Sequence, residues 1–266
     1  MNFPASIITG APGASGTPDA ADAAVHLPES GPDCSWLDEW MRSQGVPLWG
    51  VADLRPFATP TDALGRRFEA ALAFALPMDG AVMLSIHKGP NQAYADLYAA
   101  VNGRINSIAT QLAAALHKRG IRAQALAASK RSDPVGVRGD FPHKTVATRA
   151  GLGWVGRNCQ LITRAFGPWV RLGTVFTAFP LAQPGPALER SFCGSCRQCI
   201  IACPAKALKG AAWSAGMARE ALLDVHACDS WKKIHYAQYH NGHNCGICSA
   251  VCPHGLKTLR TAAQIS

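Results

Sequence analysis

Residues 191–204 read SFCGSCRQCIIACP, and residues 244–253 read NCGICSAVCP. The first stretch places Cys193, Cys196, Cys199 and Cys203 at the spacing C-x2-C-x2-C-x3-C, followed by Pro204. Ahead of the second stands Cys228; after sixteen intervening residues come Cys245, Cys248 and Cys252, followed by Pro253. A [4Fe–4S] cube takes one thiolate per iron, so eight thiolates supply two cubes. In the bacterial two-cluster pattern, the last cysteine of each run, before a proline, reaches across to the other cube. The spacing therefore predicts one cluster on Cys193, Cys196, Cys199 and Cys252, and a second on Cys228, Cys245, Cys248 and Cys203. Such a pair moves electrons. Structural zinc also draws on C-x2-C pairs, but this doubled run suits a tetrahedral four-thiolate site poorly. A disulfide framework belongs to small secreted chains, whereas this one has 266 residues and no recognisable secretory leader. Cys34 and Cys159 fall outside the pattern and read as small buried hydrophobes.

With 48% hydrophobic residues the chain can bury one large core and carry a small cluster module besides. Its longest apolar runs fall well short of the ~18 residues that suggest a membrane span. Residues 1–33, rich in Ala, Gly, Pro and Ser, read as a flexible tail and not as a signal peptide, so a cytoplasmic protein is expected. The formal charge is +9. Two oxidised cubes with their thiolates contribute about −2 each, which leaves the loaded protein mildly basic, at about +5. That balance suits an anionic partner: a phosphate-bearing cofactor, an acidic ferredoxin or a nucleic acid.

Upstream of the cysteines, helical and strand patterns alternate. Residues 35–44 read as a short helix and residues 46–54 as a strand. Residues 68–76, apolar except for Glu69, suit a buried strand or helix segment, and periodicity alone assigns them to neither state. Residues 81–86 read as a short β-type run. Asn91 then caps a long helix whose stripe is Leu97, Val101, Ile105, Ile108, Leu112 and Leu116, ended by Gly120. A strand at 121–126 and a helical turn at 144–149 follow. Residues 161–163 and 170–178 look like a hairpin around Gly167 and Pro168, and Pro180, Pro184 and Pro186 mark a linker. This is an α+β organisation: a tail (1–33), a mixed domain (34–185) and a cysteine module (186–266).

Gly151, Gly153 and Gly156 match the dinucleotide fingerprint G-x-G-x-x-G literally. They follow a helical segment instead of a strand, and no Asp or Glu occurs between Asp140 and Glu189 to hold a ribose, so nicotinamide binding is not expected. The same acid-free stretch carries Lys144, Arg149, Arg157, Arg164 and Arg171, together with His143. It reads either as a solvated basic face or as a wall facing an anion, with glycine amides able to approach a ligand and Asn158 able to orient one.

The segment AGLGWVGRN at 150–158, the LGTV at 172–175 and the doubled cysteine block together resemble the epoxyqueuosine reductases. More widely they resemble the cobalamin-dependent iron–sulfur reductases that include reductive dehalogenases. The resemblance spans roughly residues 35–256. It implies a nitroreductase-like α/β domain holding a corrinoid, followed by a ferredoxin-like domain with two [4Fe–4S] clusters. An external donor of ferredoxin or flavodoxin type would feed electrons through the clusters to cobalt for reduction of a small-molecule or nucleoside substrate. It places Gly151, Gly153, Trp154, Gly156, Arg157 and Asn158 at the cofactor. Where the family carries an acidic proton donor ahead of AGLGW, this chain reads GDFPHK at 139–144, which makes Asp140 and His143 the candidate acids. The chain ends soon after the second cysteine block, without the family's helical-repeat tail, so tRNA is the less expected substrate. An electron-transfer or corrinoid-reactivating role without a substrate of its own is the other expectation.

Overall fold

The seven residues 70–76, AALAFAL, form the heart of a four-stranded antiparallel sheet. The computed structural model describes residues 35–178 and 180–262; the expected tail at 1–33 and Cys34 lie outside the described residues. The strands are β1 (Leu48–Asp53), β2 (Ala70–Pro77), β3 (Ala123–Leu126) and β6 (Val170–Thr177), in the order β1-β2-β6-β3. A second, two-stranded ladder pairs β4 (Gly153–Val155) with β5 (Leu161–Thr163). Successive strand side chains point to opposite faces, and β2 sorts them by size. Leu72, Phe74 and Leu76 pack toward the long helix α3 (Gln92–His117) and α1 (Trp36–Ser43), while Ala71, Ala73 and Ala75 face α4 (His143–Arg149). Burial of both faces explains why the run carries no polar alternation. Phe74 sits opposite Gly173 of β6, and its ring fills the space a β-carbon there would need.

The helix predicted from Asn91 forms as α3. The Asn91 side chain accepts from the Tyr94 amide at 2.9 Å, and Ile105, Ile108, Leu112 and Leu116 are almost wholly buried against the sheet. Each such side chain is worth about 1.5–3 kcal/mol of transfer free energy. Gly120 closes the helix at φ +71, in the left-handed region that glycine enters without penalty.

Two sequence expectations are corrected. Residues 81–86 are not β-type: α2 (Gly80–Ser85) forms because Asp79 caps it, accepting from the Val82 amide at 2.9 Å, and Met83 and Ile86 bury one helical face. Residues 161–163 and 170–178 are not hairpin partners. β5 pairs instead with β4, whereas β6 enters the main sheet between β2 and β3. The turn at Gly167 is real, as Thr163 and Gly167 exchange backbone hydrogen bonds, but the chain changes ladder as it passes through.

The cysteine module contributes the short helices α5 (Gln198–Ile201) and α7 (Ile247–Ala250), which touch each other, and the longer α6 (Val225–His235) and α8 (Pro253–Ala262). Polar contacts tie it to the sheet-bearing part. Arg131 grips Asp229 with both amino groups, at 2.5 and 3.2 Å. Trp169 donates to the Ser249 carbonyl at 2.8 Å, and Arg219 donates to the carbonyls of Gly136 and Val137 at 2.9 Å each.

Candidate metal centres and cleft

Folding brings the eight cysteines together four by four. Cys193, Cys196, Cys199 and Cys252 line one hollow with Arg157, Asn158 and His254. Cys203, Cys228, Cys245 and Cys248 line a second with Tyr98, Arg171 and Asn244. Among the described residues, no three cysteine, histidine or carboxylate groups converge on a single-ion position. The sulfurs surround space. Burial, then the neighbouring sulfurs, push the Cys199 thiol up to about 11, and burial pushes Cys245 up to about 11. Burial drives Cys248 well up. Four thiolates gathered this closely need cationic charge among them, which an iron core provides.

The residues of the glycine segment divide by role. The β-carbon position of Gly153 is occupied by the Ile162 carbonyl across the β4–β5 ladder, and that of Gly156 by the Ile162 side chain. Gly151 ends α4 against Pro186. These glycines allow close chain packing. Trp154 is buried with Ile162 and Cys252 beside the first hollow and meets His254 edge-on, with ring centroids 5.1 Å apart. Arg157 donates to the carbonyls of Gly194, at 2.9 Å, and Gly210, thereby holding the loops around the first hollow. Asn158, 2% exposed, borders both hollows, donates to the Cys248 carbonyl and accepts from the Gln160 amide. The acid-free stretch is thus no simple basic face: Arg149 lies 3.7 Å from Glu189, and Arg157 and Arg171 spend their donors on the protein.

The second hollow shares Gln160, Pro168, Val170 and Arg171 with a cleft of about 240 Å³ that contains both candidate acids. That cleft shares Gly139, Asp140, Phe141, Pro142 and Lys144 with a larger groove of about 870 Å³. Strand β6 organises this junction by its alternation. On the α3 face, Arg171 donates to Asn102 Oδ1 and to the Tyr98 hydroxyl at 3.0 Å each, and also to Ser129. On the α4 face, Thr174 meets His143 Nδ1 at 2.9 Å. Burial raises the Tyr98 phenol, but the charge of Arg171 and the bonds to Ser129 and Asn102 outweigh it and hold the hydroxyl below its usual value. Lys144 reaches the carbonyl of Cys159 and stands 3.4 Å from its sulfur.

Neither sequence-chosen acid holds a proton it can readily give. The His143 Nε2 partner is the Ala127 carbonyl at 3.3 Å, which only accepts, so Nε2 carries the proton and Nδ1 accepts from Thr174. Burial lowers the ring to about 4, so it is neutral. The Asp140 carboxyl is held below its usual value by a Ser132 hydrogen bond and by Lys130, whose ammonium lies 3.5 Å away.

Residues 192–255 match a 4Fe-4S double cluster binding domain. The epoxyqueuosine reductase of Listeria monocytogenes is 34% identical over 125 residues, covering 44% of this chain and 30% of that enzyme. Over these segments the chain is similar to the epoxyqueuosine reductases and carries the double-cluster domain. It spans about a third of the length of the first curated relatives it matches (30–38%). Among solved structures, a catabolic reductive dehalogenase superposes with a TM-score of 0.68 at 19% identity, over 91% of this chain and 35% of the other. A reductive dehalogenase structure bearing on B12-dependent dehalogenation gives 0.63 at 17%, over the same shares. An epoxyqueuosine reductase with a modified tRNA stem loop gives 0.54 at 19%, over 84% of this chain and 65% of the other. These likenesses establish the fold. Sequence reasoning had no route to two features of this site. Arg171 reads as one more cation in a basic stretch, and nothing in the sequence singles out Asn244; only the strand's alternation pairs Arg171 with Tyr98 and Asn102 on α3.

Proposed function

We propose that this chain is an iron–sulfur reductase with a nitroreductase-like domain to about residue 185 and a ferredoxin-like domain after it. Cys193, Cys196, Cys199 and Cys252 would hold one [4Fe–4S] cluster and Cys203, Cys228, Cys245 and Cys248 the other, beside the cleft; the pair would supply one-electron transfer from an external donor of ferredoxin or flavodoxin type. The observation that carries this reading is the wall of Gln160, Pro168, Val170 and Arg171 common to the second hollow and the cleft. A mildly basic protein suits an acidic donor, and a reducing cytoplasm suits its thiolates.

A corrinoid in the cleft and groove is consistent with the residues present. The larger space, about 870 Å³, lies at the upper end of ordinary ligand sites, and the Nε of Arg149 on its wall is buried without a partner. When bound, a corrinoid supplies strongly reducing cobalt chemistry toward C–O or C–halogen bonds. Lys144, Thr145 and Arg149 on the groove wall would hold its polar periphery, and Phe141 and Leu172 line the smaller cleft with apolar surface. Arg171 fixes the Tyr98 hydroxyl beside the second hollow. A tRNA carrying epoxyqueuosine, the ligand of the relative with a stem loop, is the first substrate to try.

One observation favours a second reading, an electron carrier or corrinoid reactivator: His143 is neutral with both nitrogens engaged and Asp140 is ionised, leaving no sequence-chosen acid free. Anaerobic reconstitution with iron and sulfide, then titration with cobalamin, should give a base-off corrinoid spectrum saturating at one per chain. Absence of binding refutes the corrinoid reading. Turnover of an epoxyqueuosine stem loop or an organohalide by the protein and a reduced donor alone separates reductase from carrier.

A further inference from the structure

Asn244 is 2% exposed, yet neither its amide nitrogen nor its amide oxygen has a hydrogen-bond partner. Buried side-chain amides are rarely left this way, because desolvation is not recovered. The residue lies directly before Cys245 and lines the second hollow with all four of its cysteines. Two acceptors joined to its neighbours Lys232 and His243 are engaged elsewhere. The Asp229 carboxylate is held by Arg131, Lys232 and Lys233, and the His243 carbonyl receives the Lys232 ammonium at 3.3 Å. An occupant of the hollow would supply the missing partner.

Resting on the two-cluster reading above, we infer that the Asn244 side-chain N–H donates a hydrogen bond to a sulfur of the cluster held by Cys203, Cys228, Cys245 and Cys248, and thereby raises that cluster's reduction potential. The amide can turn its amino end or its carbonyl end to the hollow, and charge decides between them: an anionic cluster attracts the N–H dipole and repels the carbonyl. Reduction adds one negative charge that spreads over the sulfurs, so the bond strengthens in the reduced state. Hydrogen bonds to sulfur are among the levers that set cluster potentials. The cluster affected is the one that adjoins the cleft.

The test is an anaerobic redox titration of wild type and Asn244→Leu, followed by electron paramagnetic resonance. Leucine keeps the shape and removes the donor. The equilibrium constant for reducing the second cluster should fall about tenfold, about 59 mV for a one-electron couple, while the first cluster moves by less than about twofold. Wild-type protein labelled with ¹⁵N-asparagine should show a nitrogen coupling at the field positions of the reduced second cluster. An unchanged potential in a fully loaded variant overturns the inference. Should the variant not assemble its second cluster, the absence of that coupling in wild type overturns it. Wild-type protein with far fewer than about eight irons per chain would refute the two-cluster reading itself, which is a different result from a loaded protein indifferent to Asn244.

Discussion

His143 makes stability depend on acidity in a way that can be worked through. Its ring is packed between Thr174 and the Ala127 carbonyl, and burial lowers it to about 4, against 6.5 for the free side chain. A histidine lowered in the folded state is stabilising above its unfolded value. That contribution is lost as pH falls from 6.5 toward 4, where the unfolded chain binds a proton that the folded chain refuses. At pH 5.5 the unfolded ring is about nine-tenths protonated and the folded ring about 3%. The difference costs about 1.4 kcal/mol at pH 5.5 and almost nothing at pH 7.5. Urea unfolding of wild type and His143→Gln at both pH values, under anaerobic conditions, isolates this share, because the clusters and the other histidines are common to both proteins. Wild type should lose about 1.3 kcal/mol more than the variant between pH 7.5 and 5.5. Equal losses, or a His143 imidazole resonance titrating at or above 6, would show that the ring is not held neutral by burial.

Two other outcomes follow from the geometry. Cys252→Ser should abolish the cluster that adjoins Arg157 and His254, and Cys203→Ser the one that adjoins the cleft, each leaving about four irons per chain; if each loses the cluster of its own sequence neighbours, the crossed wiring is wrong. Asp229→Asn removes the carboxylate that Arg131, Lys232 and Lys233 share and leaves the half-buried Arg131 unpaired. It should cost about 3 kcal/mol in anaerobic denaturation, and a loss under about 0.5 kcal/mol would mean that this contact does not hold the two parts of the chain together.

Much of the architecture can be read without coordinates. The stripe from Leu97 to Leu116 specifies α3 because helical periodicity gathers apolar residues on one face, and Asn91 and Gly120 mark its ends chemically. The run 70–76 is less explicit: a strand covered on both faces keeps no polar side, and its true alternation is one of size, alanine against Leu and Phe. Residues 81–86 mislead because the cap that makes them helical, Asp79, lies outside the apolar run. The partner of β5 is missed because pairing across ladders depends on where the chain turns in space, and Gly167 supplies a turn without a hairpin.

The candidate site divides along similar lines. Thiolate spacing is local chemistry, and it marked out the eight cysteines because a cube demands ligands at short, fixed separations along the chain. The doubled pattern also predicted the division seen in the two hollows, with Cys252 and Cys203 crossing over, although those two meet their partners only when α5 and α7 pack together. The proton chemistry needed it more. Asp140 and His143 were legible as ionisable groups, but their charge states come from Ser132, Lys130, Thr174 and the Ala127 carbonyl, which are brought close by folding. Sequence fixes which groups can ionise or bind iron; how easily each does so depends on its distance from water and from other charges, and those distances exist only in three dimensions.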